Sequence, residues 1–96
     1  MSDTVTITED CVPQLARGCR LRFDEAREQW LILAPERVFM PDEVSATALR
    51  RCVEEGITVA QVIDGFAKEF DAPRETIAGD VVAMLQDLAD KGVLVT

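Results

Sequence analysis

Hydrophobic and polar positions alternate strictly over residues 19–23, so that cysteine, leucine and phenylalanine face one way and two arginines the other. A period of two is typical of a β-strand with one buried face. A polar turn follows at 24–29, and a continuously apolar stretch follows at 30–34. The two segments and the turn between them predict a β-hairpin.

A third, very short strand is predicted over 38–40. A turn at 35–37 separates it from the hairpin, and Pro41, which lacks an N–H donor, ends it. The sheet is therefore predicted to be small, antiparallel and three-stranded. Residues 1–13 are mostly polar, which predicts a flexible N-terminal lead-in to a single domain at 14–96.

The second half of the chain shows three amphipathic helices separated by short turns. Asp42 is placed to cap the first helix, and Gly56 to end it. Thr58 opens the second helix with a capping box, Pro73 precedes the third, and Gly92 ends it. This order predicts an α+β winged helix-turn-helix fold, with a small three-stranded antiparallel sheet followed by three helices.

The charge balance excludes several classes of partner. With 18 acidic and 10 basic side chains and no histidine, the formal net charge is -8. Residues 41–96 carry five basic and eleven acidic side chains, so the helices would repel phosphate. No apolar run approaches the roughly 20 residues of a membrane span, and the first residues do not resemble a signal peptide. We predict a cytoplasmic protein with neither a nucleic-acid nor a membrane partner.

The residue types that most enzymes need are missing. Without histidine, the chain lacks the commonest general base and any Cys/His zinc set. Cys11, Cys19 and Cys52 form no C-x-x-C pair and are predicted to be reduced thiols. The five glycines are scattered, so they form no phosphate-binding loop. We predict that the protein is not an enzyme and has no metal and no cofactor.

The class of function that remains is a binding module. A short third strand at the edge of a small sheet presents unpaired backbone groups, to which an extended peptide can add a strand. Phe39 and Met40 are candidate contacts, although they could equally fill the core. Asp80 and Asp87 on the third helix could hold a basic side chain of a partner or simply face solvent. Trp30 is predicted to be a core anchor.

Four segments in a defined order resemble the PqqD family. They are residues 17–24 (RGCRLRFD), 30–38 (WLILAPERV), 58–64 (TVAQVID) and 85–92 (LQDLADKG). The resemblance covers nearly the whole chain. It implies a peptide chaperone of pyrroloquinoline quinone (PQQ) biosynthesis, a pathway that uses a ribosomally made precursor peptide. Such a chaperone binds the peptide, PqqA, and presents it to the radical S-adenosylmethionine enzyme PqqE.

The resemblance also implies a binding mode, in which the peptide pairs with the third strand and packs against the third helix. The pairing edge would then comprise Val38, Phe39 and Met40. The candidate groove residues on the helix are Val81, Met84, Leu85 and Leu88. The acidic helical half would attract basic side chains of the peptide, with an effect that salt weakens.

Two questions stay open at this stage. A winged-helix adaptor or regulator that binds a protein partner unrelated to PQQ is the alternative function. A monomer and a domain-swapped homodimer are both compatible with the short, proline-flanked link between sheet and helices.

Overall fold

A computed structural model describes residues 5–96, so the first four residues of the predicted lead-in lie outside the described residues. Residues 5–96 form five strands and three helices. They are β1 (Gln14–Leu15), β2 (Arg20–Asp24), β3 (Gln29–Leu33), β4 (Val38–Phe39), α1 (Glu43–Glu55), α2 (Val59–Glu69), α3 (Arg74–Asp90) and β5 (Leu94–Val95). The predicted α+β fold, a three-stranded antiparallel sheet followed by three helices, is confirmed.

The main sheet has the order β2-β3-β4, and its register decides which face is buried. Leu21 lies opposite Ile32, and Ile32 lies opposite Phe39. Residues that lie opposite each other share one face of a sheet. Since Ile32 is fully buried, this row marks the face that packs on the helices. β4 is one residue shorter than predicted, because the ladder ends before Met40-Pro41.

Local signals set the helix ends as predicted. The Asp42 carboxylate accepts a hydrogen bond of 2.7 Å from the backbone N–H of Ser45. Gly56 ends α1 with φ 68°, a left-handed conformation that glycine adopts without steric cost. Thr58 and Gln61 form the reciprocal bonds of a capping box at the start of α2.

The core lies between the three helices and the buried face of the sheet. Its largest fully buried side chains include Phe66, Ile32, Leu49, Ile63, Leu85 and Leu94. Trp30, predicted to be a core anchor, is only half-buried. Its ring packs edge-on against exposed Phe23 at 5.4 Å and stacks on the Arg50 guanidinium at 4.3 Å. The prediction was wrong because Phe23 and the Arg50 side chain of α1 cover the ring instead of the buried core residues.

A second, two-residue ribbon was not predicted. β1 pairs antiparallel with β5, so that Leu15 lies opposite Leu94. The sequence pattern indicates only an extended tail at 93–95, because two-residue strands are too short to show a period. Val93 and Leu94 are buried, so the ribbon anchors the end of the chain to the core.

Residues 5–13 pack on the helices, whereas their polarity predicts a flexible lead-in. Ile7 is only 4% exposed. The Gln86 side chain accepts a hydrogen bond from the Ile7 N–H (2.8 Å) and donates one to the Val5 carbonyl (2.7 Å). The Glu9 and Cys11 carbonyls accept from N–H groups in the first turn of α2. Those N–H groups have no partner within the helix, so the segment satisfies them.

Replacing Ile7 by Ala tests this packing. We expect the free energy of unfolding to fall by about 2–5 kcal/mol, because a buried isoleucine leaves a cavity. Thr6→Ala, at an exposed position next to it, is the control and should change stability by less than about 0.5 kcal/mol. Urea denaturation followed by circular dichroism measures both variants. Equal stability of the two would show that the segment does not pack in solution.

Candidate functional site: the groove between β4 and α3

An open groove of about 280 Å³ runs between β4 and α3. Its apolar wall consists of Ile32, Phe39, Met40, Pro41, Met84 and Leu88, and its polar rim of Asp42, Ser45, Asp87 and Lys91. The helical residues lie at positions 84, 87, 88 and 91, a spacing that places them on one face of α3. Phe39 shares the sheet face of Ile32, so its half-buried ring reaches the groove from the strand side.

The outer edge of β4 offers backbone groups to a partner. Within the described residues, β4 has a strand neighbour on one side only. The Ala34 N–H donates to the Arg37 carbonyl at 2.9 Å. Bonded and non-bonded pairs alternate in an antiparallel ladder, so Ile32 and Phe39 form the next bonded pair. The N–H and C=O of Val38 therefore point away from β3, toward the free edge.

A second hollow extends the groove between α1 and α3. It measures about 350 Å³ and is lined by Asp42, Val44, Ser45, Ala48, Asp80, Val81 and Met84. Asp42, Ser45 and Met84 line both spaces, so the two adjoin, and together we call them the depression. Met84 lies at the junction. Its flexible thioether side chain suits a surface that must adapt to a ligand.

Three carboxylates and one ammonium group surround this depression. The hydrogen bonds from Ser45 lower the pKa of Asp42, so its side chain stays charged well below neutral pH. Asp87 forms an ion pair of 2.8 Å with Lys91, one turn along α3. In the part of the chain that the structure describes, Asp80 has no ion pair. A basic side chain of a ligand would therefore meet Asp42 and Asp80 directly, but would compete with Lys91 for Asp87.

The structure places the candidate site residues in three groups. Val38 and Met40 are 56% and 60% exposed, and the half-buried Phe39 and Met84 line the groove. Asp80 and Asp87 are exposed on its two sections. Val81 and Leu88 are mostly buried but reach its wall. Leu85 is fully buried and does not line the groove, so the candidate role assigned to it is corrected.

Sequence reasoning missed Ile32, Pro41, Ser45 and Lys91, and it treated Asp42 only as a helix cap. These residues come from β3, the β4–α1 link, α1 and the end of α3, which meet only in the folded chain. One local signal could have identified Lys91 as a groove residue. It lies seven residues after Met84 and three after Leu88, a spacing that places all three on one helix face.

Two further observations concern metal binding and the buried thiol of Cys52. Residues 5–96 hold no cluster of three or more His, Cys, Asp or Glu side chains that could bind a metal ion. Burial raises the pKa of the Cys52 thiol to about 11, so it stays protonated and unreactive. None of the helices described is long and apolar enough to cross a membrane.

Comparison with known proteins gives a consistent result. The family model for PqqD, coenzyme PQQ synthesis protein D, matches residues 29–94. A protein of Rhodopseudomonas palustris named PqqA binding protein is 49% identical over 94% of this chain and 87% of its own length. A protein of the same name from Bradyrhizobium diazoefficiens is 50% identical over 94% of this chain and 86% of its own length.

A solved structure shows the same fold. The PqqD truncation of Methylobacterium extorquens PqqCD, determined by solution NMR, superposes with a TM-score of 0.77. It is 34% identical, and the match covers 99% of this chain and 100% of that one. That protein is a stand-alone recognition element for ribosomally synthesised and post-translationally modified peptides (RiPPs). Fold, sequence and family model agree, and the chain belongs to the PqqD family.

Proposed function

We propose that this protein is a non-catalytic peptide chaperone of PQQ biosynthesis in the cytoplasm. It binds the precursor peptide PqqA by strand addition at β4 and presents it to the radical S-adenosylmethionine enzyme PqqE. The depression beside the outward-facing edge of β4 carries this proposal. The relatives named PqqA binding protein and the RiPP recognition element of the same fold support it.

The geometry suits an extended peptide more than a compact ligand. A peptide strand beside β4 would bond to the N–H and C=O of Val38 and direct alternate side chains toward the helices. These side chains would meet the apolar wall formed by Phe39, Met84 and Leu88. Because Pro41 cannot donate a hydrogen bond, the edge is short. The groove must therefore supply most of the affinity, while the backbone pairing aligns the peptide along β4.

The charges around the depression add a preference for basic side chains in the peptide. Asp42 and Asp80 flank the second hollow, and neither is paired with a cation among the described residues. A lysine or arginine of the peptide that entered this hollow would gain a charge-assisted hydrogen bond. The acidic character of the helical half would also speed the encounter with such a peptide.

Calorimetric titration with synthetic PqqA and a scrambled control peptide tests whether PqqA is recognised. Two variants of Val38 test whether it binds by strand addition at β4. Val38→Pro removes the outward N–H and should weaken binding about tenfold or more, because one backbone bond and its strand geometry are lost. Val38→Ala keeps the N–H and truncates a side chain that points to the other face, so it should bind within about threefold of the unaltered protein.

Circular dichroism of both variants confirms that the fold is retained. Equal affinity for PqqA and the scrambled peptide would rule out specific recognition. Unchanged binding by Val38→Pro would rule out strand addition at this edge, even if the groove still holds the peptide.

A further inference from the structure

Several arginines around the hairpin form no ion pair within residues 5–96, although the chain has nearly twice as many acidic as basic side chains. The ion pairs among residues 5–96 use Arg27, Arg50, Arg51, Arg74 and Lys91. The arginines without an ion pair in this range are Arg17, Arg20, Arg22 and Arg37. All four lie on or beside the three-stranded sheet. Residues 17–40 hold five basic and four acidic side chains, a net charge of +1, whereas residues 41–96 carry -6.

The sheet register places two of these arginines on one surface. Arg20 lies opposite Leu33 and Arg22 opposite Leu31, while Leu33 also lies opposite Val38. These residues alternate with the buried row that contains Ile32, so they share the opposite face of the sheet. We call this surface the outer face; it comprises Arg20, Arg22, Asp24, Gln29, Leu31, Leu33 and Val38, and the carboxylate of Asp24 is already paired with Arg27.

The outer face combines apolar area with guanidinium groups. Arg20, Arg22 and Val38 are exposed, and Leu31 and Leu33 are half-buried. Arginine binds carboxylates through two parallel hydrogen bonds and is enriched at protein interfaces. A phosphate backbone would also attract these arginines. However, the aliphatic centre of the face and the net charge of -8 favour a protein surface with carboxylates around an apolar patch.

We infer that the outer face docks the enzyme that modifies the bound peptide, through an acidic and apolar patch on that enzyme. This inference rests on the proposed function. Val38 links the two sites, because its backbone lies on the peptide edge and its side chain on the outer face. The groove opens on the helix side of the sheet, so an enzyme on the outer face leaves it uncovered. The peptide strand would then lie at the margin of the docked enzyme.

Charge reversal on the outer face tests the inference against a matched control. Arg20→Glu, Arg22→Glu and Lys68→Glu each change the net charge from -8 to -10. Lys68 is exposed on α2 and has no ion pair among residues 5–96, so the control makes the same change in net charge on a different element. Sedimentation velocity with purified PqqE, in the presence of PqqA, measures docking. Calorimetry with PqqA alone measures peptide binding.

We expect both arginine variants to bind PqqE about tenfold or more weakly, because each replaces an attraction by a like-charge repulsion. Lys68→Glu should bind PqqE like the unaltered protein, and all three variants should keep its affinity for PqqA. Equal PqqE affinity of all three variants would overturn the inference, while retained PqqA binding would leave the peptide-binding proposal intact.

Three further results would also overturn it. The first is loss of PqqA binding in the arginine variants, which would make the outer face part of the peptide site. The second is failure of the unaltered protein to bind PqqE, in which case the PqqA titration still decides peptide recognition. The third is a gel shift of a mixed 30-base-pair DNA duplex that Arg20→Glu abolishes, which would assign the face to nucleic acid.

Discussion

Replacing Phe39 by Asp is expected to weaken PqqA binding by about 30-fold or more, which corresponds to about 2 kcal/mol. The Phe39 ring lies in the groove together with Leu88 and Met84 of α3. A carboxylate at this position would have to lose its water to let an apolar side chain of the peptide bind. Calorimetric titration with PqqA measures the change.

Phe39→Leu is the matched control, because it keeps an apolar side chain in the groove. We expect its affinity to stay within about fivefold of the unaltered protein. Thermal unfolding of both variants separates a lost contact from a lost fold, since Phe39 also lies opposite the buried Ile32. A folded Phe39→Asp variant with normal affinity would place the peptide elsewhere on the molecule.

Truncation of two neighbouring residues on α3 should affect different properties, stability in one case and peptide affinity in the other. Leu85 is fully buried, so Leu85→Ala should lower the free energy of unfolding by about 2–5 kcal/mol and the melting temperature by about 10 °C or more. Met84 is half-buried at the junction of the two hollows. Met84→Ala should cost less than about 1.5 kcal/mol in stability but weaken PqqA binding about tenfold.

Urea denaturation and calorimetry, carried out on both variants at a temperature where Leu85→Ala is folded, separate the two effects. Each variant is the control for the other, because both lose one large apolar side chain from the same helix. If Leu85→Ala lost more affinity than Met84→Ala, α3 would present a different face to the groove from the one described.

The sequence predicts those features that depend on residues close together in the chain. The hairpin follows from alternation at 19–23 and a polar turn, and the capping box of α2 follows from Thr58 and Gln61. Such signals act within a few residues and hold whatever the rest of the chain does.

The division of α3 between core and groove could not be predicted in this way. Met84 and Leu85 are both apolar and adjacent, so the helical pattern assigns them to one broad stripe. Which of them faces the core depends on how α3 rotates against α1 and β4. The packing of residues 5–13 was missed for a related reason. Its main contacts, through Ile7 and Gln86, join residues far apart in the sequence.

The short length of β4 has a consequence for self-association. An open sheet edge can pair with any exposed strand, including the same edge of a second copy, and long edges therefore promote aggregation. Here the edge consists of two residues and ends at Pro41. Two such edges could exchange few hydrogen bonds, so strand pairing alone would not hold two copies together. A strand binds stably at this edge only if its side chains also fill the groove. The short edge therefore disfavours general aggregation and favours peptides whose side chains fit.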